Sequence, residues 1–190
     1  MRRGGVHGVE ERPLLPEPDI ADASVRLRRW ASTDLACVEA VSREGIVPQG
    51  TTVPAVFSDD AGRAWIKRQH ARREHRQGWS LAICDSASDT AVGCVVLLLR
   101  PQSGVAGLGY WLAPAHRGRG YASTAVRLVT TWGLERVGLA RVEAWVEPDN
   151  DPSIAVLTRC GFEREGRLRS FLALPSGRSD ALVFSRIAGA

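Results

Sequence analysis

The stretch Trp111–Val126, WLAPAHRGRGYASTAV, gathers the residue types that handle a charged ligand. A strand-like segment stops at Pro114, two glycines alternate with arginines, and a helical pattern is under way by Ser123. Gly118 and Gly120 can take backbone angles closed to other residues, so that successive N–H groups face one point. A helix opening just behind them adds unpaired N–H groups and the positive end of its dipole. Arg117 and Arg119 bring positive charge to the same turn. The chemistry that suits such a turn is the cradling of a diphosphate. A Walker loop needs Gly-Lys-Ser/Thr at the helix start, and this loop has no lysine. A dinucleotide fingerprint needs a third glycine within a first βαβ unit, and Gly118-x-Gly120 has none. An arginine-rich turn that only caps a helix is the competing reading of this segment.

The elements that must position the loop can be read from hydrophobic period. Val25–Trp30 alternates apolar and basic residues as a half-exposed strand does. Ser32-Thr33-Asp34 offers an N-cap to a short helix that ends near Gly45, and Ser58-Asp59-Asp60 opens a second helix reaching about Arg76. Trp79–Cys84 and Ala91–Arg100 are neighbouring strands, the second apolar enough to lie covered on both faces. Gly107–Leu112 is a strand, Ser123–Val137 an amphipathic helix, and Val142–Val146 a strand. Ser153–Arg159 is a short helix, capped in sequence by Asn150-Asp151-Pro152. Phe162–Leu174 and Ala181–Ile187 close the chain as a hairpin. The order β-α-α-β-β-β-α-β-α-β-β predicts one α+β domain around a mixed, mostly antiparallel sheet flanked by helices. Residues 1–23 lack a period and are expected as a flexible leader, leaving 24–190 as the domain.

Composition excludes several classes. With 44% hydrophobic and 24% charged residues, the chain is neither disordered nor collagen-like. The first residues have no apolar core of a signal peptide, and no window has a membrane helix's length, so a cytoplasmic protein without membrane contact is expected. Cys37, Cys84, Cys94 and Cys160 are far apart and have no ligand-spaced histidine, which argues against a zinc site or disulfide framework and for buried thiols. The net charge of +4 suits an anionic ligand. No aromatic-basic interleaving accompanies it, and nucleic acid is not expected as a partner. His70, His75 and His116 have no metal-ligand spacing, Trp65 and Trp79 read as core anchors, and the helix after Asp59 reads as a basic, solvated face.

Arg117-x-x-Gly120-x-Ala122 resembles the Arg/Gln-x-x-Gly-x-Gly/Ala signature of the GNAT N-acetyltransferases. Gly109-Tyr110-Trp111-Leu112, Gly120-Tyr121-Ala122, Asn150-x-x-Ser153, Gly161-Phe162 and Glu165-Gly166 are similar to the RimJ/RimL-like branch, the ribosomal-protein N-terminal acetyltransferases. The resemblance covers about residues 24–187. It implies a sheet whose strands splay at Leu112 to admit acyl-CoA, with Leu112, Arg117, Gly118, Arg119, Gly120, Tyr121, Ala122 and Asn150 binding the cofactor. It implies direct transfer of acetyl from acetyl-CoA to a primary amine, with no metal. The acceptor it implies is a protein or peptide N-terminus, or a small amine, with an acidic or peptidic character suggested by the basic helix.

Many relatives protonate the leaving thiolate with a tyrosine seven residues after the asparagine; here that position is Leu157. Ser153, one turn earlier on the same face, is the remaining candidate for that role. Glutamates frequent in relatives are replaced by Gly107 and Thr124, so the general base stays unassigned, with Glu44 and Glu143 as candidates. These inert replacements also leave open an acyl-CoA-binding sensor or interaction module without turnover. The oligomeric state is left open, a dimer included.

Overall fold

A computed structural model of the chain describes residues 15, 17, 18 and 20–189. Eight strands form one sheet: β1 (Ile20–Ala21), β2 (Val25–Arg28), β3 (Gly78–Asp85), β4 (Ala91–Leu99), β5 (Val105–Leu112), β6 (Arg141–Val146), β7 (Glu163–Leu174) and β8 (Gly177–Ile187). Their order is β1-β2-β3-β4-β5-β6-β8-β7. Every neighbouring pair is antiparallel except β5 and β6, which run parallel. The mixed, mostly antiparallel sheet expected from the element order is what the chain forms.

Helices α1 (Leu35–Glu44), α2 (Val47–Gly50) and α3 (Asp59–Glu74) cover one face, and α4 (Tyr121–Trp132) and α5 (Asp151–Arg159) the other. The strand period of two sorts side chains between these layers. Ala82, Cys84 and Cys94 join Val38, Val41, Trp30 and Trp65 on the α1–α3 side. Leu81, Ile83, Val92 and Val95 join Val126, Val129 and Leu157 on the α4–α5 side. Strand β3 is thus buried along almost its whole length. Helix α3 starts where the sequence predicts, because the Ser58 hydroxyl accepts from the Ala61 N–H at 3.1 Å and Asp59 and Asp60 face the positive helix end.

Three details differ from the sequence reading. Ile20–Ala21, assigned to the leader, pair with Leu27 and Arg26 as β1, and Leu15 is buried in the core. Arg73 holds this segment by donating to the Leu15 carbonyl at 2.9 Å and pairing with Glu17; residues 1–14, 16 and 19 of the expected leader lie outside the described residues. The helix expected to run to Val137 stops at Trp132, and Gly133–Val137 form one wider π turn that closes on left-handed Gly138. His70, expected on an open face, donates from Nε2 to the Trp30 carbonyl at 2.8 Å.

Candidate functional site

Strands β5 and β6 pair only from Val105↔Arg141 to Gly107↔Glu143. Beyond that point β5 follows β4 up to Leu112↔Gly93, while β6 follows β8 up to Val146↔Leu182. Each strand keeps its outer partner, so the two separate and leave a wedge between them. The Ala113 N–H bonds to the Val92 carbonyl, which fixes the alternation: odd residues of β5 pair with β4. Tyr110 and Leu112 therefore turn their main-chain groups into the wedge, where an extended ligand can add itself as a strand.

The loop with alternating arginines sits at the wide end of the wedge. Gly118 and Gly120 have φ of +74° and +85°, and a Cβ placed on either meets no atom within 4 Å. Gly120 is the N-cap of α4 and supplies no side chain to it. The first N–H groups of α4, from Tyr121, Ala122 and Ser123, thus face open space beside a left-handed turn, as a diphosphate requires. Arg119 is exposed and has no carboxylate partner among the described residues. Arg117 is used differently. Its guanidinium folds back, pairing with Glu44 (Nη2 to Oε2 2.7 Å) and donating to the Leu112 carbonyl at 3.1 Å. It ties α1, the end of β5 and the loop together. The Tyr121 hydroxyl donates to Asp85 at 2.7 Å, anchoring the first turn of α4 to the β3–β4 turn. That bond leads the interactions that draw the Asp85 carboxyl down to about 2.

On the far side of the wedge the Asn150 side chain accepts from the Ser153 N–H at 3.2 Å and caps α5. The Ser153 hydroxyl lies 2.7 Å from that of Tyr110, whose side chain crosses from β5. Burial, with the Ser153 contact opposing it, pushes the Tyr110 phenol up to about 12. Leu157 is fully buried. Tyr110 was visible in sequence only as part of a strand motif; its partner lies 43 residues away, and no local pattern reports that contact.

On the α1–α3 face a cavity of about 270 Å³ opens along β4 and β5. Trp65, Trp111, Val96, Leu98 and Leu108 give it apolar walls, and Arg72 and Arg100 contribute charge; among the described residues no aspartate or glutamate lines it. The two candidate bases are both engaged. Glu44 is held by Arg117, and Glu143 by Arg100 (3.1 Å) and Arg141 (3.3 Å). Gly107 explains the arrangement, since a Cβ there would lie 2.5 Å from the Arg100 guanidinium. The position where relatives often carry glutamate is thus backbone that gives Arg100 room, and Arg100 also lies 3.9 Å from the Trp145 ring centroid.

All four cysteines are buried, with desolvation pushing Cys84 and Cys94 up to about 12, so neither offers a thiolate near neutrality. Among the described residues no cluster of histidine, cysteine or carboxylate could hold a metal, and no helix is long and apolar enough to cross a membrane.

Residues 24–163 match the family model of the acetyltransferase (GNAT) domain. The chain is 27% identical over 176 residues to an uncharacterized N-acetyltransferase, p20, of Bacillus licheniformis, spanning 92% of both chains. Its fold is similar to that of Mycobacterium smegmatis RimJ in complex with CoA-disulfide, with a TM-score of 0.76 and 24% identity over 90% of this chain and 85% of that one. RimL, described as a ribosomal L7/L12 alpha-N-protein acetyltransferase in complex with coenzyme A, gives a TM-score of 0.77 and 20% identity over 93% and 98% of the two chains.

Proposed function

The chain belongs to the acetyltransferase (GNAT) family and is an acyl-CoA-dependent N-acetyltransferase; from that premise we propose that its acceptor is an α-amine, either a peptide or protein N-terminus or a small molecule with an amine of similar acidity. The observation that carries this reading is the cavity along β4 and β5, which has no carboxylate in its lining among the described residues. An α-amine, with a pKa near 7.7–8.0, is substantially neutral at pH 8 and can lose its proton to water. A lysine amine, near 10.4, would need a base, and no carboxylate is found among the described residues lining this cavity. The fold is also that of a neighbour described as an alpha-N-protein acetyltransferase.

In this reading the pyrophosphate rests on the N–H groups of Tyr121, Ala122 and Ser123, with Gly118 and Gly120 shaping the turn and Arg119 supplying charge. Leu112, its carbonyl held by Arg117, offers its main-chain N–H to the pantetheine arm, and Asn150 and Arg117 hold the walls. The amine nitrogen attacks the thioester carbon, the C–S bond breaks, and the amine gives up its proton to solvent. The Tyr110–Ser153 hydroxyl pair stands where it can return a proton to the departing sulfur. The phenol, raised to about 12, stays protonated through the working range. Family membership disfavours the alternative of a silent acyl-CoA sensor.

A pH–rate profile tests the proposal. On a peptide with a free α-amine, kcat/KM should rise with a pKa near 8 and stay level to about pH 10, with no falling limb from the tyrosine. A peptide with only a lysine amine should give a far lower kcat/KM at pH 8. Faster transfer to the lysine peptide, or a limb near pH 6 shared by both acceptors, would show a protein base and defeat the reading.

A further inference from the structure

The basic helix α3 resolves into cations with different duties. Arg63 pairs with Asp59 one turn away, and Arg73 pairs with Glu17 while holding Leu15; Lys67 and Arg68 are exposed and outside the cavity lining. Arg72 alone of these lines the cavity. Its orientation is fixed from beneath. Gln69, only 3% exposed, accepts from Arg72 Nε at 3.1 Å and from the Ser80 hydroxyl at 3.0 Å with the same side-chain oxygen. The Gln69 amide in turn donates to the Trp65 carbonyl at 3.1 Å. A buried amide is retained where its partners are in place, and here its oxygen serves to hold one guanidinium by the Nε edge. The two Nη groups of Arg72 have no carboxylate among the described ion pairs. Arg100, the other cavity cation, already has Glu143.

We propose that Arg72, pinned by Gln69, is an acceptor-recognition group: the amine that enters this cavity carries a carboxylate beyond an apolar body. This rests on the α-amine reading above and names the class of acceptor within it. One uncompensated guanidinium matches a single negative charge and the planar fork of a carboxylate; a phosphate dianion would want a second free cation, and Arg100 is spent. Trp65, Trp111, Leu98 and Leu108 give the body an apolar wall. About 270 Å³ is near the lower end of small-ligand pockets, enough for one or two residues and not for a folded surface. The carboxylate can come from a small acceptor or from an acidic side chain near a peptide N-terminus, and these two sources share one chemistry.

Two matched pairs of acceptors test the proposal. The small pair is the dipeptide Ala-Leu and its C-terminal amide; the peptide pair is a hexapeptide opening Ala-Asp and one opening Ala-Asn. For the wild-type chain, kcat/KM should favour the acid member of at least one pair by ~10-fold or more, mainly through KM, as expected for a charge-assisted fork. In Arg72→Gln that ratio should collapse to within ~2-fold, and Arg72→Lys should restore only part of it, because an ammonium lacks the fork. Acetyl-CoA titration of each variant verifies that it is folded. Equal use of acid and neutral members by the wild type, or a preference that survives in Arg72→Gln, overturns the proposal. The same four peptides are also titrated by calorimetry into the protein with CoA bound. Acid-selective binding that needs Arg72, without transfer, would sustain the anion site while refuting the α-amine reading; binding without selectivity would refute the site whatever the turnover.

Discussion

Replacing Gly120 with valine separates a diphosphate cradle from an ordinary helix start. Gly120 sits at φ +85° and ψ −11°, a left-handed conformation in which an L-residue is disfavoured by about 1–2 kcal/mol. A Cβ there would touch nothing within 4 Å, so the folded domain would bear that backbone strain and no steric clash. For a chain of this size each kcal/mol lowers Tm by roughly 2–4 °C, so a fall of about 2–8 °C is expected and the domain should still fold. The ligand meets a different problem. The valine side chain would project into the space onto which the N–H groups of Tyr121, Ala122 and Ser123 open. Acetyl-CoA affinity, measured by calorimetry and corrected for the folded fraction, should fall at least ~10-fold, about 1.4 kcal/mol. Gly120→Asn is the control, since asparagine tolerates the left-handed region better. It should recover most of the Tm and little of the affinity. If Gly120→Val melts early while its folded fraction binds acetyl-CoA like the wild type, the glycine serves only the helix start and the cradle is misplaced.

Two other substitutions probe the chemistry and its scaffold. Ser153→Ala and Tyr110→Phe should each lower kcat by ~10²-fold with acetyl-CoA affinity nearly intact, and the double variant should be no worse than either, because the two hydroxyls act as one donor; additive losses, or losses seen only in affinity, would refute the pair as a proton source. Gly107→Ala places a methyl 2.5 Å from the end of Arg100, a flexible group that must move and release Glu143. Thermal denaturation should show a loss of ~1–2 kcal/mol for that charge-assisted contact, and an unchanged Tm would mean that the Arg100–Glu143 contact adds nothing to stability.

What the sequence made legible is what local pattern encodes. The two loop glycines, the helix behind them and the proline that ends β5 act within a few residues of one another, and the structure has all of them in the expected order. Alternation located β3 and β4 because each residue's face is set by its own parity. What escaped depends on contacts across the fold. The loop pattern did not reveal that Glu44, 73 residues earlier, and the carbonyl of Leu112 engage Arg117. The β1 pairing is only two residues long, too short to show a period. The π turn at Gly133–Val137 keeps the apolar spacing of a helix while changing its width, so Leu134 and Val137 still reach the core and the pattern does not register the change.

The same long-range pairings bear on how the chemistry can run. The two carboxylates considered as bases are each joined to arginine, Glu44 to one and Glu143 to two. Gly107 leaves room for the Arg100 guanidinium, which reaches Glu143. On the α-amine reading, the guanidinium of Arg72, without a carboxylate among the described ion pairs, would favour the neutral form of an α-amine whose acceptor carries a carboxylate. Selectivity of this sort supplies by choice of acceptor what a catalytic carboxylate would otherwise supply by proton transfer, which is why Arg72, and not a glutamate, is the residue on which acceptor preference should turn.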